Sequence, residues 1–198
     1  MININKVTTK TGDRGKTLGP GCQMMEKGSN LVELIGKLDE LNVSIGNSIE
    51  HLKCSIFKIF SKNRKHKLFL QKTQDDLFDI GALFYKKDYQ TAIIHIYDLI
   101  KELEDKILNL NNKLPALDSF LLPTGSKLII ALHEARCRTR SAERMFWKVF
   151  NENLIDKNLE SIGIYLNRLS DFIFVLIREK SKKKWIPFEK KLSNKKSN

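Results

Sequence analysis

The segment Leu132–Arg144, LHEARCRTRSAER, spaces three guanidinium groups, an imidazole and a carboxylate so that one helical face would gather them. At 100° per residue, His133, Arg136, Arg140, Glu143 and Arg144 fall within roughly a 100° arc. Leu132, Ala135, Thr139, Ala142 and Phe146 hold a separate face, as an amphipathic core helix requires. Guanidinium groups on one stripe repel each other unless an anion lies against them, and their planar forks match phosphate oxygens in pairs. Two readings stand at this point. One is a polyphosphate-binding stripe; the other is a solvated basic face with Glu143 as internal counter-ion. His133 and Cys137 lie one turn apart, but HEARC lacks the second His of the H-E-x-x-H zinc motif. With no further ligand cluster evident, no transition-metal site is expected.

A second candidate is Thr9–Thr17, TKTGDRGKT. Its ending resembles a P-loop, but Lys10 stands where that motif needs its first Gly. INKVTT before it is a poor strand, and LGPG after it starts no helix. The underlying physics still applies. Gly12 and Gly15 permit a tight turn with converging N–H groups, while Lys10, Arg14 and Lys16 add charge and Thr9, Thr11 and Thr17 add hydroxyls. The alternative is an ordinary polar N-terminal arm.

These residues need elements to position them. The 198 residues suffice for one domain with a real core. Apolar positions Leu31, Leu34, Ile35, Leu38, Leu41, Ile45 and Ile49 predict a first helix, capped by Ser29 or Asn30. Gly36 and Gly46 on it mark expected close helix approaches. A second helix is predicted from about Leu68 to Phe84, after an ambiguous basic connection from His51 to Lys67. A third, Ile93–Leu110, carries a bundle-type seam of Ile93, Ile96, Ile100, Leu103, Ile107 and Leu110. The Arg-bearing helix spans about Ser126–Phe150, and a fifth about Leu159–Lys183. The chain shows no β-hairpin signal and no alternating strand, so residues 1–28 read mostly as loop. The expected architecture is all-α, an up-and-down five-helix bundle over residues 29–184, with a Lys-rich tail at 185–198 expected to be disordered at its end.

Composition excludes more than it identifies. No apolar run approaches the roughly 20 residues of a membrane span, and the N-terminus reads as neither secretory signal nor presequence. Three cysteines, Cys22, Cys54 and Cys137, form no C-x-x-C pair. These features imply a reducing, cytoplasmic setting. The formal charge of +12 lacks any aromatic-interleaved ribbon or recognition-helix signature, so neither nucleic acid nor membrane is an expected partner.

Several blocks then occur together in order: TKTGDRGKT, Lys27, IGKLDELNVSIG, FLLPTGS, LHEARCRTRSAER and YLNRLSDFIFVLIR. In this the chain resembles the ATP:cob(I)alamin adenosyltransferases that serve propanediol and methylmalonyl-CoA metabolism. The resemblance spans Thr9 to Arg178, apart from the 52–67 connection. It implies a homotrimeric five-helix bundle with active sites between subunits, binding ATP, Mg²⁺ and cobalamin and releasing adenosylcobalamin and triphosphate. By motif position, Thr9, Lys10, Thr11, Gly12, Asp13, Gly15 and Thr17 would form the nucleotide loop, with Lys27 reaching the phosphates. Arg140 and Glu143 match the nucleotide-binding pair of the R-x-A-E-R helix, and Asn167 the Asn of N-R-L-S-D. Asp39 and Arg136 match a salt bridge across the subunit interface. Phe120 matches the aromatic that crowds the lower face of cobalamin, with Leu121 beside it also facing the corrinoid.

In such a reaction the nucleophile belongs to the corrinoid, which explains the lack of a catalytic triad. Arg140 and Phe120 are then the residues expected to act, the first on the leaving charge and the second on the lower axial position of cobalt. A cobalt reductase and an adenosylcobalamin-dependent acceptor enzyme are the implied partners. Four departures stand out: Ser141 replaces the second Arg of R-R-A-E-R, Thr124 a Gly of P-G-G, Asn30 a common Arg, and Ile35 a common aromatic. Losing one buried Arg–phosphate contact costs about 1.5–3 kcal/mol. A sensor or delivery module that binds ATP or adenosylcobalamin without efficient turnover is therefore the rival reading.

Overall fold

The computed structural model describes residues 8, 10–20, 23–52, 62–86, 89–181 and 184. Two short strands, β1 (Lys16–Leu18) and β2 (Met24–Glu26), precede five helices. These are α1 (Asn30–His51), α2 (Lys62–Leu83), α3 (Gln90–Asn111), α4 (Lys127–Asn151) and α5 (Glu160–Lys180). A 3₁₀ turn, Lys157–Leu159, leads into α5. No helix among the described residues is long and apolar enough to cross a membrane.

The predicted apolar seams are the ones that bury. Leu31, Leu34, Leu38, Leu41, Ile45 and Ile49 of α1 enter the core with Leu132, Ala135, Ala142 and Phe146 of α4. Ile162, Leu166, Leu169, Ile173 and Leu176 do the same on α5. Helix α4 packs between α1 and α5, α5 also packs on α3, and α2 lies on α1. Small side chains at Ala131, Ala135 and Ala142 let the α4 backbone lie close to its neighbours. Two buried threonines are satisfied within their own helices: the Thr139 hydroxyl donates to the Ala135 carbonyl at 2.8 Å and the Thr73 hydroxyl to that of Phe69 at 2.9 Å. Asn42 and Gln74 exchange amide hydrogen bonds with each other's backbone carbonyls, at 3.0 and 3.1 Å, and so stitch α1 to α2.

The structure corrects the sequence reading in three places. Lys16–Leu18 and Met24–Glu26 pair as antiparallel strands where only loop was expected, with Thr17 opposite Met25. The strands are too short to show alternation, and the available signal was the Gly19-Pro20-Gly21 turn. Gly19 donates its N–H to the Gln23 carbonyl at 2.8 Å, and a side chain there would collide with Met25, which covers it. Helix α2 starts at Lys62, six residues before the predicted Leu68, because Lys and Arg favour helix and His66 is anchored to Glu179 of α5 at 3.0 Å. Gly36 faces open space rather than a close neighbour, whereas Gly46 does approach Gln74 closely, as predicted.

The tightest approach in the bundle falls elsewhere. A Cβ on Gly163 would lie 2.7 Å from the Phe146 ring and 2.6 Å from that of Trp147. These rigid rings cannot yield as a flexible side chain would. Gly163→Val therefore forces α4 and α5 apart, and urea denaturation should report a loss of about 1–3 kcal/mol.

Candidate active site

Two separate assemblies of functional groups emerge. The first is the N-terminal loop. Strand pairing sets Lys16 opposite Glu26, and the Lys27 N–H donates to the Gly15 carbonyl at 2.8 Å. That register places the Lys27 ammonium against Gly12, where a Cβ would lie only 3.0 Å from Nζ. A lysine twelve residues past Gly15 is thereby delivered to the turn. Lys10 and Gly15 both adopt left-handed backbone (φ 60° and 75°), the kind of reversal by which a loop turns its N–H groups inward. Lys10, Thr11, Asp13 and Gly15 are exposed, and Gly12 and Thr17 half-buried; Thr9 lies outside the described residues.

The second assembly runs down the antiparallel seam of α4 and α5. The Asn167 amide donates to the Glu143 carboxylate at 3.0 Å. Arg168 donates to the Asn167 carbonyl oxygen at 2.9 Å and to Glu104 of α3 at 2.8 Å, which fixes the Asn167 amide in one orientation. Sequence reasoning overlooked Arg168, although it sits in the same N-R-L-S-D run. Seven residues before Glu143, the Arg136 guanidinium lies over the Phe174 ring at 5.2 Å. Its Nε is buried without an acceptor among the described residues, as is His133 Nε2. Arg140 and Arg144 are exposed and have no ion pair among the described residues. Of the apolar residues following Asn167, Phe172 and Val175 are buried, and Phe174 is half-buried beside Arg136.

No hydrogen bond or ion pair joins the N-terminal loop to Glu143, Asn167 or Arg140 among the described residues. Asp39 and Arg136 likewise do not pair within the chain. Glu40 instead pairs with Arg138, tying α1 to α4. Asp39 is exposed, beside a groove of about 460 Å³ lined by Ile35, Gly36, Leu77, Phe78 and Tyr85. Asn30, where an Arg is common, has a task of its own: it bridges Glu152 at 2.7 Å and Lys148 at 3.1 Å.

Phe120 lies in the α3–α4 connection and is 75% exposed, which is not the position of a core anchor. Its segment is held firmly. Leu121 pairs with Lys184 in an isolated bridge, Lys184 binds Asp118 at 2.5 Å, and Arg178 donates to Asn111 and to the Pro115 carbonyl at 2.6 Å each. Gly125, at φ 133°, is the glycine of this turn whose conformation disfavours any side chain. It is retained, and Thr124 beside it needs no such conformation. That departure therefore introduces no backbone strain.

A family model for cobalamin adenosyltransferases matches residues 7–180. The corrinoid adenosyltransferase of Homo sapiens is 33% identical over 181 residues, covering 88% of this chain and 68% of that protein. The one from Bacillus subtilis is 35% identical over 178 residues, covering 87% and 85%. Among solved structures, a variant PduO-type ATP:corrinoid adenosyltransferase from Lactobacillus reuteri, complexed with cobalamin and ATP, is similar with a TM-score of 0.72 at 29% identity. That match covers 92% of this chain and 100% of the other. The chain belongs to the cobalamin adenosyltransferase family.

Burial first, and then the Arg136 guanidinium, hold the His133 imidazole below its ordinary value of 6.5. The native ring thus takes up a proton less readily than the unfolded one. This contribution to stability is complete above pH 6.5 and declines as pH falls below it. An NMR titration should place the His133 midpoint below 6.5. Arg136→Met should move it upward but not restore 6.5, because burial remains.

Proposed function

We propose that this chain transfers the 5′-deoxyadenosyl group of Mg-ATP to cob(I)alamin, giving adenosylcobalamin and triphosphate. The observation that carries the reading is the Glu143–Asn167 pair, with Arg140 one turn away and without an ion pair among the described residues. A polar pair held rigid by Arg168 can orient a nucleotide, and a neighbouring guanidinium without a protein anion is ready for phosphate. Cobalamin supplies the electron pair that forms the cobalt–carbon bond as the bond from C5′ to the triphosphate oxygen breaks. The chain must hold the triphosphate away from the attacking face and stabilise the charge it gains on leaving. Arg140, Lys27 and the inward-turned N–H groups around Gly12 and Gly15 perform these tasks by electrostatic preorganisation. Thr9, Lys10, Thr11, Asp13 and Thr17 complete the loop over the nucleotide. Phe120, exposed on a firmly held turn with Leu121 beside it, excludes water and base from the lower axial position of cobalt.

The active form is a homotrimer in which the loop of one subunit closes over the α4–α5 stripe of the next. Three features support this. Among the described residues, no hydrogen bond or ion pair joins the loop to Glu143, Asn167 or Arg140, Arg136 has a buried Nε without an acceptor, and Asp39 is an exposed carboxylate without an ion pair. An Asp39–Arg136 bridge between subunits meets both needs. We place the enzyme in the cytoplasm, supplied by a cobalt-reducing partner and delivering to an adenosylcobalamin-dependent acceptor.

The test is an anaerobic assay with chemically reduced cobalamin and Mg-ATP, followed through the visible spectrum. Wild type should turn over. Arg140→Ala should lose about 100-fold in kcat/KM, the cost of removing one preorganised donor of charge stabilisation. Phe120→Ala should lose turnover while keeping ATP affinity. ATP binding without any wild-type turnover would instead favour the sensor or delivery reading, with Ser141 as the responsible departure.

A further inference from the structure

On another side of the bundle, α2 and α3 border a cavity of about 430 Å³ above Phe172 of α5. Lys62 and Lys65 enter it from the first turn of α2, Lys106 from α3 and Lys113 from the turn that follows α3. Its floor is apolar: Phe69 meets Phe172 edge to face at 4.9 Å, and Leu110 lies beside them. Asn109 adds an amide at the rim. The volume lies within the range of about 300–1,000 Å³ typical of small-molecule sites.

Carboxylates here are already committed. Glu179, with its side chain 9% exposed, is shared between Lys62, His66 at 3.0 Å and Lys180 at 3.2 Å. Glu102 is shared between Lys106 at 3.4 Å and Lys72 at 2.6 Å. Lys65 and Lys113 have no carboxylate partner among the described residues. Despite the adjacent Glu179, burial and then the ammonium groups of Lys180, Lys62 and Lys106 push the His66 imidazole down to about 4. Burial, Lys180 and Lys113 lower the Lys62 ammonium as well. Lys65 and Lys113 therefore give the cavity positive charge that no carboxylate among the described residues pairs with.

We propose that this cavity is an oligophosphate-binding site, separate from the α4–α5 stripe. Four lysines reach the cavity from α2, from α3 and from the turn after α3, and two of them, Lys65 and Lys113, have no carboxylate partner among the described residues. A ligand with several charged oxygens bridges them, and ammonium groups are the compact multi-donor partners such oxygens take. Both inorganic triphosphate and a nucleotide present this chemistry. The site does not depend on the transferase reading.

His66 provides a reporter inside the cavity. Its ring resonances, assigned with His66→Gln, are followed in the full-length protein while sodium triphosphate or ATP is added. Sodium sulfate at equal ionic strength serves as control. Saturable movement with triphosphate identifies the inorganic anion as sufficient, and movement with ATP alone identifies a nucleotide; either supports the site. Lys65→Glu/Lys113→Glu should weaken binding about tenfold or more at His66. Both positions are exposed, so the double variant should keep the wild-type melting temperature and adenosyl transfer. A His66 signal that stays still, that moves equally with sulfate, or that ignores the double variant overturns the proposal. Loss of adenosyl transfer in wild type would overturn the functional reading instead, and would leave the His66 result unaffected.

Discussion

The contact between α4 and α5 at Gly163 sets the geometry on which the rest depends. Phe146, Trp147 and Phe150 form a rigid aromatic group, and the absence of a side chain at Gly163 lets α5 settle against it. Once that level is fixed, helical repeat does the remaining alignment. One turn along, Glu143 meets Asn167; two further turns along, Arg136 meets Phe174. A helix displaced by one residue would rotate each of these groups by about 100° and dissolve the stripe. Packing in the core thereby does the positioning that a catalytic protein needs, with no strained rotamer or metal clamp required.

Electrostatics then separates binding from structure. Cations that serve the fold have their partners inside the chain: Arg138 with Glu40, Arg168 with Glu104, Lys72 with Glu102. Arg140 and Arg144 on the stripe have none among the described residues, and Arg136 has an aromatic face and an unmet Nε. Leaving guanidinium groups unpaired costs little while they remain in water. It becomes favourable only when an anion arrives, which is the behaviour expected of a nucleotide site that fills and empties.

Much of this was legible in the chain. The helices follow from 3.6-residue periodicity, the Arg stripe with Glu143 from helical spacing, and Asn167 from the family resemblance. The strand pair was not, because three-residue strands carry no measurable alternation, and its register decides where Lys27 goes. The early start of α2 was hidden because NRKHK has no apolar period; its helicity rests on a tertiary bond from His66 to Glu179. Arg168 was missed because its role is to orient another side chain, and Gly36 was misjudged because glycine on a helix has more than one cause. By residue type alone a Phe before Leu-Leu-Pro is a core anchor; the family motif pointed the other way, and Phe120 is 75% exposed. The proposed trimer has no periodic trace in the sequence; it rests on the family motif that includes Asp39 and Arg136.

The central claim is that the chain stabilises an intact triphosphate as it leaves C5′. Phosphorus NMR of a single turnover, with reduced cobalamin and Mg-ATP under anaerobic conditions, reads this directly. The account predicts one triphosphate formed for each cobalt–carbon bond, with no ADP or free phosphate at early times. ADP and phosphate appearing in step with ATP loss, or adenosylcobalamin forming without stoichiometric triphosphate, would contradict it.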